Sequence, residues 1–268
     1  MISVIVPFRD SELWLNRCLS SLAKQKGDFE FILVDDNREL HTDTAIADRY
    51  EREDKRFRYF TTRGKGVSIA RNTGICAAKG DWITFLDADD EWNDGAMDKF
   101  ELAISEAPSD INIIQMNHYR HYDSINKTAF KYTNTSGIYS LNDFPKQWCM
   151  VWNKLYRRDF IKENAIRFPE LMQYGEDEIF NLKALDFDNR ICHAPRGIAV
   201  LKRHFQNKRS LSHTINTDKL IRQSHELIKL ASESNNQSVR LGICKLLSEH
   251  WHSKTYTVNF GGDRKKDV

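Results

Sequence analysis

Two aspartates separated by one residue follow an apolar run in the first third of the chain. Asp87 and Asp89 come directly after residues 82–86, whose composition is that of a buried strand. Alternate side chains of an extended backbone point the same way, so the two carboxylates can converge on one cation. Mg²⁺ and Mn²⁺ prefer such oxygen ligands. A solvated turn or a helix cap is the alternative that this pair alone leaves open.

A second acidic pair ends another apolar run. Asp35 and Asp36 follow residues 31–34. A carboxylate at this point can accept hydrogen bonds from a ribose hydroxyl or from a base N–H. Aspartate is equally suited to a turn or a helix cap, so the pair by itself does not decide between these uses.

A basic segment that contains glycines lies between the two acidic pairs. Arg63 and Lys65 alternate with glycines, and Arg71 follows within residues 70–74. Glycines let the backbone approach a ligand closely, and basic side chains compensate phosphate charge. The spacing is neither that of a P-loop nor that of the glycine-rich dinucleotide fingerprint. An ordinary basic loop is the alternative.

Three consecutive acidic residues, 176–178, begin a helical pattern in the second half. The positive end of a helix dipole favours acidic residues in the first turn, which is a purely structural explanation for them. Helical spacing places Asp177 over Phe180, Asn181 and Ala184, a partly apolar face that is compatible with burial. Upstream, Trp148, Trp152 and Tyr156 recur every fourth residue, as in a core stripe or a stacking platform for a sugar.

Alternating strand and helix patterns must position these residues. Strands are predicted from short apolar runs at residues 2–6, 31–34, 57–61, 82–86 and 111–116, and helices from apolar stripes at 15–22, 42–52, 67–78 and 97–104. Asp10 or Ser11 is predicted to cap the first helix. The alternation predicts a mostly parallel sheet flanked by helices, and ligands of such sheets bind at the carboxyl ends of the strands. The acidic pairs and the polar residues after residue 6 all follow strands directly.

The pattern changes after about residue 120, which suggests an internal division. Polar, tyrosine-rich residues 119–140 resemble a β-meander or a loop, and two helices are predicted between residues 217 and 251. We predict one α/β domain over residues 1–205, with halves at 1–115 and 116–205. A helical extension and tail then form residues 206–268.

Composition narrows the class of protein. The chain has 268 residues, with 40 Lys and Arg against 38 Asp and Glu, so its net charge of +2 gives no reason to expect nucleic-acid binding. Its five cysteines form no C-x-x-C motif, which favours reduced thiols. We find no signal peptide and no run of about 18 apolar residues, and therefore predict a cytoplasmic protein. The basic residues 264–266 leave weak contact with the inner membrane face open.

Four linked motifs resemble family 2 glycosyltransferases of the GT-A fold. They are residues 2–9, residues 31–37, Gly66 with residues 70–74, and residues 80–90. Two later segments, residues 152–161 and 174–180, resemble motifs of bacterial members that synthesise polysaccharides. The sequence departs from the family pattern at Arg9, where Asn is common, and at residues 37–39, which replace Gly-Ser-Thr-Asp.

The resemblance implies roles for the matched residues. It places the donor nucleotide-sugar in the first half of the domain and the acceptor in the second half. The residues that it places around the donor are Pro7, Arg9, Asp35, Asp36, Arg63, Lys65, Arg71, Asp87, Ala88 and Asp89. Asp36 would meet the uracil and Asp89 would bind Mn²⁺ or Mg²⁺. Asp177 would be the catalytic base. His204 would be an extra metal ligand, with an exposed basic loop as its alternative.

The implied activity is inverting, metal-dependent transfer of a sugar from a UDP-sugar to a hydroxyl of a glycan or lipid-linked glycan. The resemblance suggests that this serves bacterial lipopolysaccharide or capsule synthesis. A sugar-1-phosphate nucleotidyltransferase is one alternative, but it needs a glycine-rich basic signature after the first strand, and residues 7–12 contain no glycine. A non-catalytic nucleotide-sugar-binding protein is the other.

Overall fold

One large sheet runs through the computed structural model, which describes residues 1–37, 42–62, 64, 66–122, 127–131, 136–140, 150–172, 174–198, 201–203 and 217–258. The strands are β1 (Ile2–Phe8), β2 (Phe29–Asp35), β3 (Phe57–Thr61), β4 (Trp82–Phe85), β5 (Asp90–Trp92), β6 (Ile113–Tyr122), β7 (Lys127–Lys131), β8 (Gly137–Tyr139), β9 (Lys154–Arg157), β10 (Ile191–Ile198) and β11 (Leu201–Arg203). Strands β5 and β11 form a separate pair, and the other strands form the large sheet. The helices are α1 (Leu15–Ala23), α2 (Thr42–Glu53), α3 (Val67–Ala77), α4 (Ala96–Glu106), α5 (Arg158–Glu163), α6 (Glu176–Phe187), α7 (Thr217–Glu233) and α8 (Gln237–Val258).

The strand order of the large sheet is β3-β2-β1-β4-β9-β6-β10-β8, with β7 paired to β6. Strands β3, β2, β1 and β4 are parallel. Strand β9 lies antiparallel between β4 and β6, and β10 is parallel to β6. Six of the nine strands therefore run in one direction, which confirms the predicted mostly parallel sheet.

Helices cover both faces of the sheet, as the unbroken apolar runs of its central strands require. Every residue of β1 is buried. Helices α1, α2 and α4 pack on one face, whereas α3, α5 and α6 pack on the other. Leu227 of α7 and Val239 of α8 belong to the second of these cores. The predicted boundary at residue 205 remains a prediction.

The polar residues singled out in the sequence gather at the carboxyl edge of the sheet. Arg9 follows β1, Asp36 follows β2, and Asp87 follows β4 by two residues. The ladder between β1 and β4 ends at Ile5 with Phe85, two residues before Pro7. Pro7 has no N–H with which to extend that ladder towards β4.

The start of helix α1 differs from the prediction. Neither Asp10 nor Ser11 caps it, because α1 begins at Leu15, after Trp14 and without a side-chain cap. The Ser11 hydroxyl instead donates to the carbonyl of Arg9 at 2.9 Å. The Ser11 carbonyl accepts from the N–H groups of Trp14 and Leu15 in a preceding turn. Local turn contacts of this kind compete with capping.

Helix α3 lies close to the sheet because Gly74 faces strand β1. A Cβ atom at this position would lie 2.4 Å from Cγ2 of Ile5. That methyl group is fixed on a β-branched side chain and cannot swing away. The glycine therefore sets the separation between α3 and the sheet.

Among the described residues, no helix has the length and apolar composition needed to cross a bilayer.

We expect Gly74→Ala to lower the free energy of unfolding by about 1–3 kcal/mol, because it overpacks the contact with Ile5. Urea denaturation measures the change. Cys76→Ala, on the same helix but exposed, is the matched control and should change stability little. Equal midpoints for the two variants would show that α3 can move without cost.

Candidate active site

The aspartates after β4 form a tight turn. The N–H of Asp90 donates to the carbonyl of Asp87 at 2.9 Å. One carboxylate oxygen from each of Asp87, Asp89 and Asp90 lies within 4.8 Å of the others. The carboxylates thus converge because of the turn and not because of the extended backbone that the sequence suggested. The turn also brings in Asp90 as a third carboxylate. Ala88 is buried within the turn.

This donor set fits a hard divalent cation. Three carboxylates offer only oxygen atoms, which suits Mg²⁺ or Mn²⁺. Asp90 begins β5, and its partner in the β5–β11 register is Arg203. His204, the predicted additional ligand, lies outside the described residues. Arg203, the residue before it, is the one that pairs with Asp90. Metal binding by Asp89 and by His204 remains a prediction.

Arg71 joins this turn to the start of helix α6. Its side chain is only 4% exposed. Nη2 donates to Oδ1 of Asp87 at 3.0 Å, whereas Nη1 donates to Oδ1 of Asp177 at 2.7 Å and to Oε1 of Glu176 at 3.1 Å. The guanidinium also lies 5.2 Å from the ring centre of Phe168. Three carboxylates from two segments that are distant in sequence therefore share one guanidinium.

Asp177 occupies the first turn of α6, which follows Gly175 in a left-handed conformation (φ 76°). Burial raises the pKa of the Asp177 carboxyl to about 7. The charge of Arg71 opposes this change, while the carboxylates of Glu176 and Asp87 add to it. The side chain keeps 23% exposure, so solvent still reaches it. A carboxylate that ionises near neutrality has the property required of a general base.

The second acidic pair is held firmly by hydrogen bonds. Asp35 accepts from the hydroxyls of Thr44 at 2.7 Å and Tyr59 at 2.9 Å. Burial, reinforced by Asp35, raises the pKa of Tyr59, so that hydroxyl remains a donor. Asp36 accepts from the N–H of Gly66 at 2.9 Å, and Nη1 of the partly exposed Arg9 lies 3.7 Å from it. The loops after β1 and β2 and the start of α3 therefore meet at Asp36.

Two predicted donor-site residues, Arg63 and Lys65, lie outside the described residues. Pro7 is buried at the end of β1. Arg71 lies at the same sheet edge, but its terminal nitrogens bind carboxylates of the chain itself. The nucleotide contacts inferred for these four residues remain predictions.

The aromatic residues Trp152 and Tyr156 are part of the core. Both are buried, and Tyr156 lies in strand β9, so their four-residue spacing does not reflect a helix. The Tyr156 hydroxyl donates to Oδ1 of Asn181 at 2.7 Å, and Nδ2 of Asn181 donates to the carbonyl of Asp177 at 2.9 Å. Tyr156 thus supports the helix that carries Asp177. Trp148 lies outside the described residues.

Helix α7 contacts the turn that precedes Asp177, a contact that the sequence did not reveal. Nε2 of Gln223 donates to Oε2 of Glu178 at 2.6 Å, and Gln223 is buried. A Cβ atom at Gly175 would lie 2.2 Å from Nε2 of Gln223. Gly175 therefore meets two needs at once, a left-handed backbone and room for Gln223.

Residues 3–165 match Glycosyl transferase family 2, and the chain belongs to this family. The nucleotidyltransferase alternative gains no support from the match. Among curated relatives, the chain is 30% identical over 224 residues to the uncharacterized glycosyltransferase EpsJ of Bacillus subtilis, covering 79% of this chain and 63% of EpsJ. It is 32% identical over 200 residues to the poly(ribitol-phosphate) β-N-acetylglucosaminyltransferase TarS of Staphylococcus aureus, covering 70% of this chain and 33% of TarS. The chain thus spans less than two thirds of either relative.

Solved structures of S. aureus TarS residues 1–349 share the fold. The complex with UDP superimposes with a TM-score of 0.76 at 21% identity, covering 98% of this chain and 75% of that chain. The complex with UDP-GlcNAc gives a TM-score of 0.75 at 22% identity, covering 94% and 72%. These similarities confirm the predicted GT-A fold.

We expect the stability of the protein to depend on pH through Asp177. Its pKa in the folded state is raised from the ordinary 3.8 to about 7. The associated stabilisation is therefore complete below pH 3.8 and is lost as the pH rises through about 7. Asp177→Asn removes this dependence, so its melting temperature relative to wild type should increase between pH 4 and pH 8.

Asp159→Asn is the control for that measurement, because Asp159 is exposed on α5. Its melting temperature relative to wild type should stay constant over the same range. If the difference in melting temperature between Asp177→Asn and wild type is constant as well, the wild-type Asp177 carboxyl titrates as it does in the unfolded chain.

Proposed function

We propose that this chain is an inverting, metal-dependent glycosyltransferase that moves a sugar from a UDP-sugar to a hydroxyl of a bacterial surface glycan. The observation that carries the proposal is the shared guanidinium of Arg71. It keeps Asp87, in the candidate metal-binding turn, beside Asp177, the candidate base. An inverting transfer needs both kinds of group on the two sides of one sugar.

The donor would lie along the carboxyl edge of the sheet. Asp36, fixed by the N–H of Gly66, would meet the uracil. Asp35, itself held by the hydroxyls of Thr44 and Tyr59, would fix the neighbouring backbone by accepting from the N–H of Asn37 at 2.8 Å. Asp87, Asp89 and Asp90 would hold Mn²⁺ or Mg²⁺. When bound, the cation neutralises the charge that develops on the departing diphosphate.

The acceptor would approach from the side of helix α6. Asp177 would take the proton of the acceptor hydroxyl as that oxygen attacks the anomeric carbon opposite the leaving diphosphate, which inverts the configuration. A raised pKa makes this carboxylate a stronger base than a solvated one, and it is still ionised at slightly alkaline pH. The hydrogen bond from Asn181 to the carbonyl of Asp177 keeps this turn in place.

The name of one relative supports a polymer as the acceptor. TarS is named for transfer of N-acetylglucosamine to poly(ribitol-phosphate). We propose a glycan or lipid-linked glycan acceptor for this chain, reached at the cytoplasmic face of the membrane. Lipopolysaccharide and capsule are narrower forms of that proposal.

UDP release tests the reaction directly. The purified chain is incubated with a panel of UDP-sugars and Mn²⁺, with and without candidate glycan acceptors, and parallel samples contain excess EDTA. We expect release from at least one donor and its loss with EDTA. Release that persists in EDTA would contradict metal dependence. If no donor is cleaved with any acceptor although UDP-sugars bind, the chain is a binding protein.

Two substitutions separate donor binding from catalysis. Asp177→Asn should retain the rise in melting temperature caused by UDP and Mn²⁺ but lose about 10²–10⁴-fold in turnover. Asp89→Asn should instead weaken that thermal shift, because it removes a ligand of the cation. Asp159→Asn serves as the control in both assays. Normal turnover by Asp177→Asn would place the base elsewhere.

A further inference from the structure

We propose that Arg71 is a positioning residue, which fixes Asp177 relative to the Asp87–Asp90 turn and does not bind the nucleotide. This inference rests on the function proposed above. It reassigns a residue that the sequence placed among the nucleotide contacts.

The contacts of the guanidinium occupy both of its terminal nitrogens, while its buried Nε has no hydrogen-bond partner among the described residues. Nη1 binds Asp177 and Glu176, and Nη2 binds Asp87, at 2.7–3.1 Å. Its two terminal nitrogens thus bind carboxylates of two different elements, the loop after β4 and the first turn of α6. The planar fork fixes the separation of groups bound to its two ends. A guanidinium used in this way acts as a rigid spacer.

The neighbouring residue Asn72 holds the other side of the same assembly. Its Nδ2 donates to the carbonyl of Phe168 at 3.0 Å, and its Oδ1 accepts from the Phe168 N–H at 2.9 Å. The Phe168 ring in turn lies beside the Arg71 guanidinium. Consecutive residues of α3 therefore anchor the segment leading to α6 and the carboxylates at its start.

Helix α3 can do this because it is fixed against the sheet. Gly74, one turn after Arg71, lies against Ile5 without space for a side chain. A buried guanidinium loses its hydration and needs several charged partners to compensate. Lysine would supply one compact ammonium on a flexible stem, without the planar fork that sets the separation.

Steady-state kinetics of Arg71→Lys test the inference. We expect kcat to fall about 100-fold, the size of effect that a displacement near 1 Å can cause. KM for the UDP-sugar and the thermal shift with UDP and Mn²⁺ should stay near the wild-type values. Arg58→Lys is the matched control, since Arg58 pairs with Glu30 in strand β2 and should leave kcat unchanged.

The opposite pattern would overturn the inference. Loss of UDP binding with retained kcat at saturating donor would make Arg71 a nucleotide contact. Kinetic constants within about threefold of wild type would remove any role in the reaction. If the wild-type chain itself releases no UDP, the proposed function fails, whereas a wild-type turnover unaffected by Arg71→Lys refutes this inference alone.

A double-mutant cycle gives an independent readout. If Arg71 acts through Asp177, adding Arg71→Lys to Asp177→Asn should lower the residual rate by less than about threefold. Multiplicative losses would show that the two residues act separately.

Millimolar guanidinium should also raise the kcat of Arg71→Ala at least tenfold, whereas methylammonium should not, since only the former reproduces the planar fork. Equal restoration by both ions would contradict the spacer role.

Phe168→Leu is the fallback if Arg71→Lys does not fold. It removes the ring beside the guanidinium but none of the ion pairs. We expect kcat to fall about threefold or more at unchanged KM, because the ring contributes modestly to holding the cation. An unchanged kcat in this folded variant would count against the inference.

Discussion

The attraction between one buried guanidinium and three carboxylates holds the two halves of the cleft together. Removing Arg71, Asp87, Glu176 and Asp177 from water is costly, and the ion pairs offset that cost only if every partner is in place. Four groups of the protein must therefore be aligned before any ligand arrives. Close approach of α3 to the sheet, the turn after β4 and the left-handed residue before α6 all contribute to that alignment. Burial in this assembly raises the pKa of Asp177, and the neighbouring carboxylates add to the effect although Arg71 opposes it.

Much of the first half was predictable, because its signals are local. An uninterrupted apolar run as short as Phe31–Val34, bounded by acidic residues, is typical of a strand buried on both faces. Acidic residues directly after such runs must lie at one edge of a parallel sheet, and Asp36 and Asp87 do. The linked motifs then predicted the family and the GT-A fold, and both were confirmed by the comparisons.

What could not be predicted depends on contacts between distant parts of the chain. A tight turn brings Asp90 towards Asp87, whereas the pattern of alternating side chains suggested only Asp89. Strand β9 enters the sheet antiparallel between β4 and β6, and no local periodicity specifies such an insertion. The position of Arg71 in a basic, glycine-containing stretch favoured a phosphate contact. Only the packing of α3 shows that its charge is used within the protein.

The buried contact between Gln223 and Glu178 also limits how chains of this family can be recombined. A chimera joined to the C-terminal part of a longer relative after helix α7 keeps the native cover over Gly175. A junction placed before α7 brings a foreign helix onto that glycine, with no assurance of a side chain that fits the space and donates to Glu178. The boundary of the transferable module, in engineering terms, therefore lies beyond the first C-terminal helix.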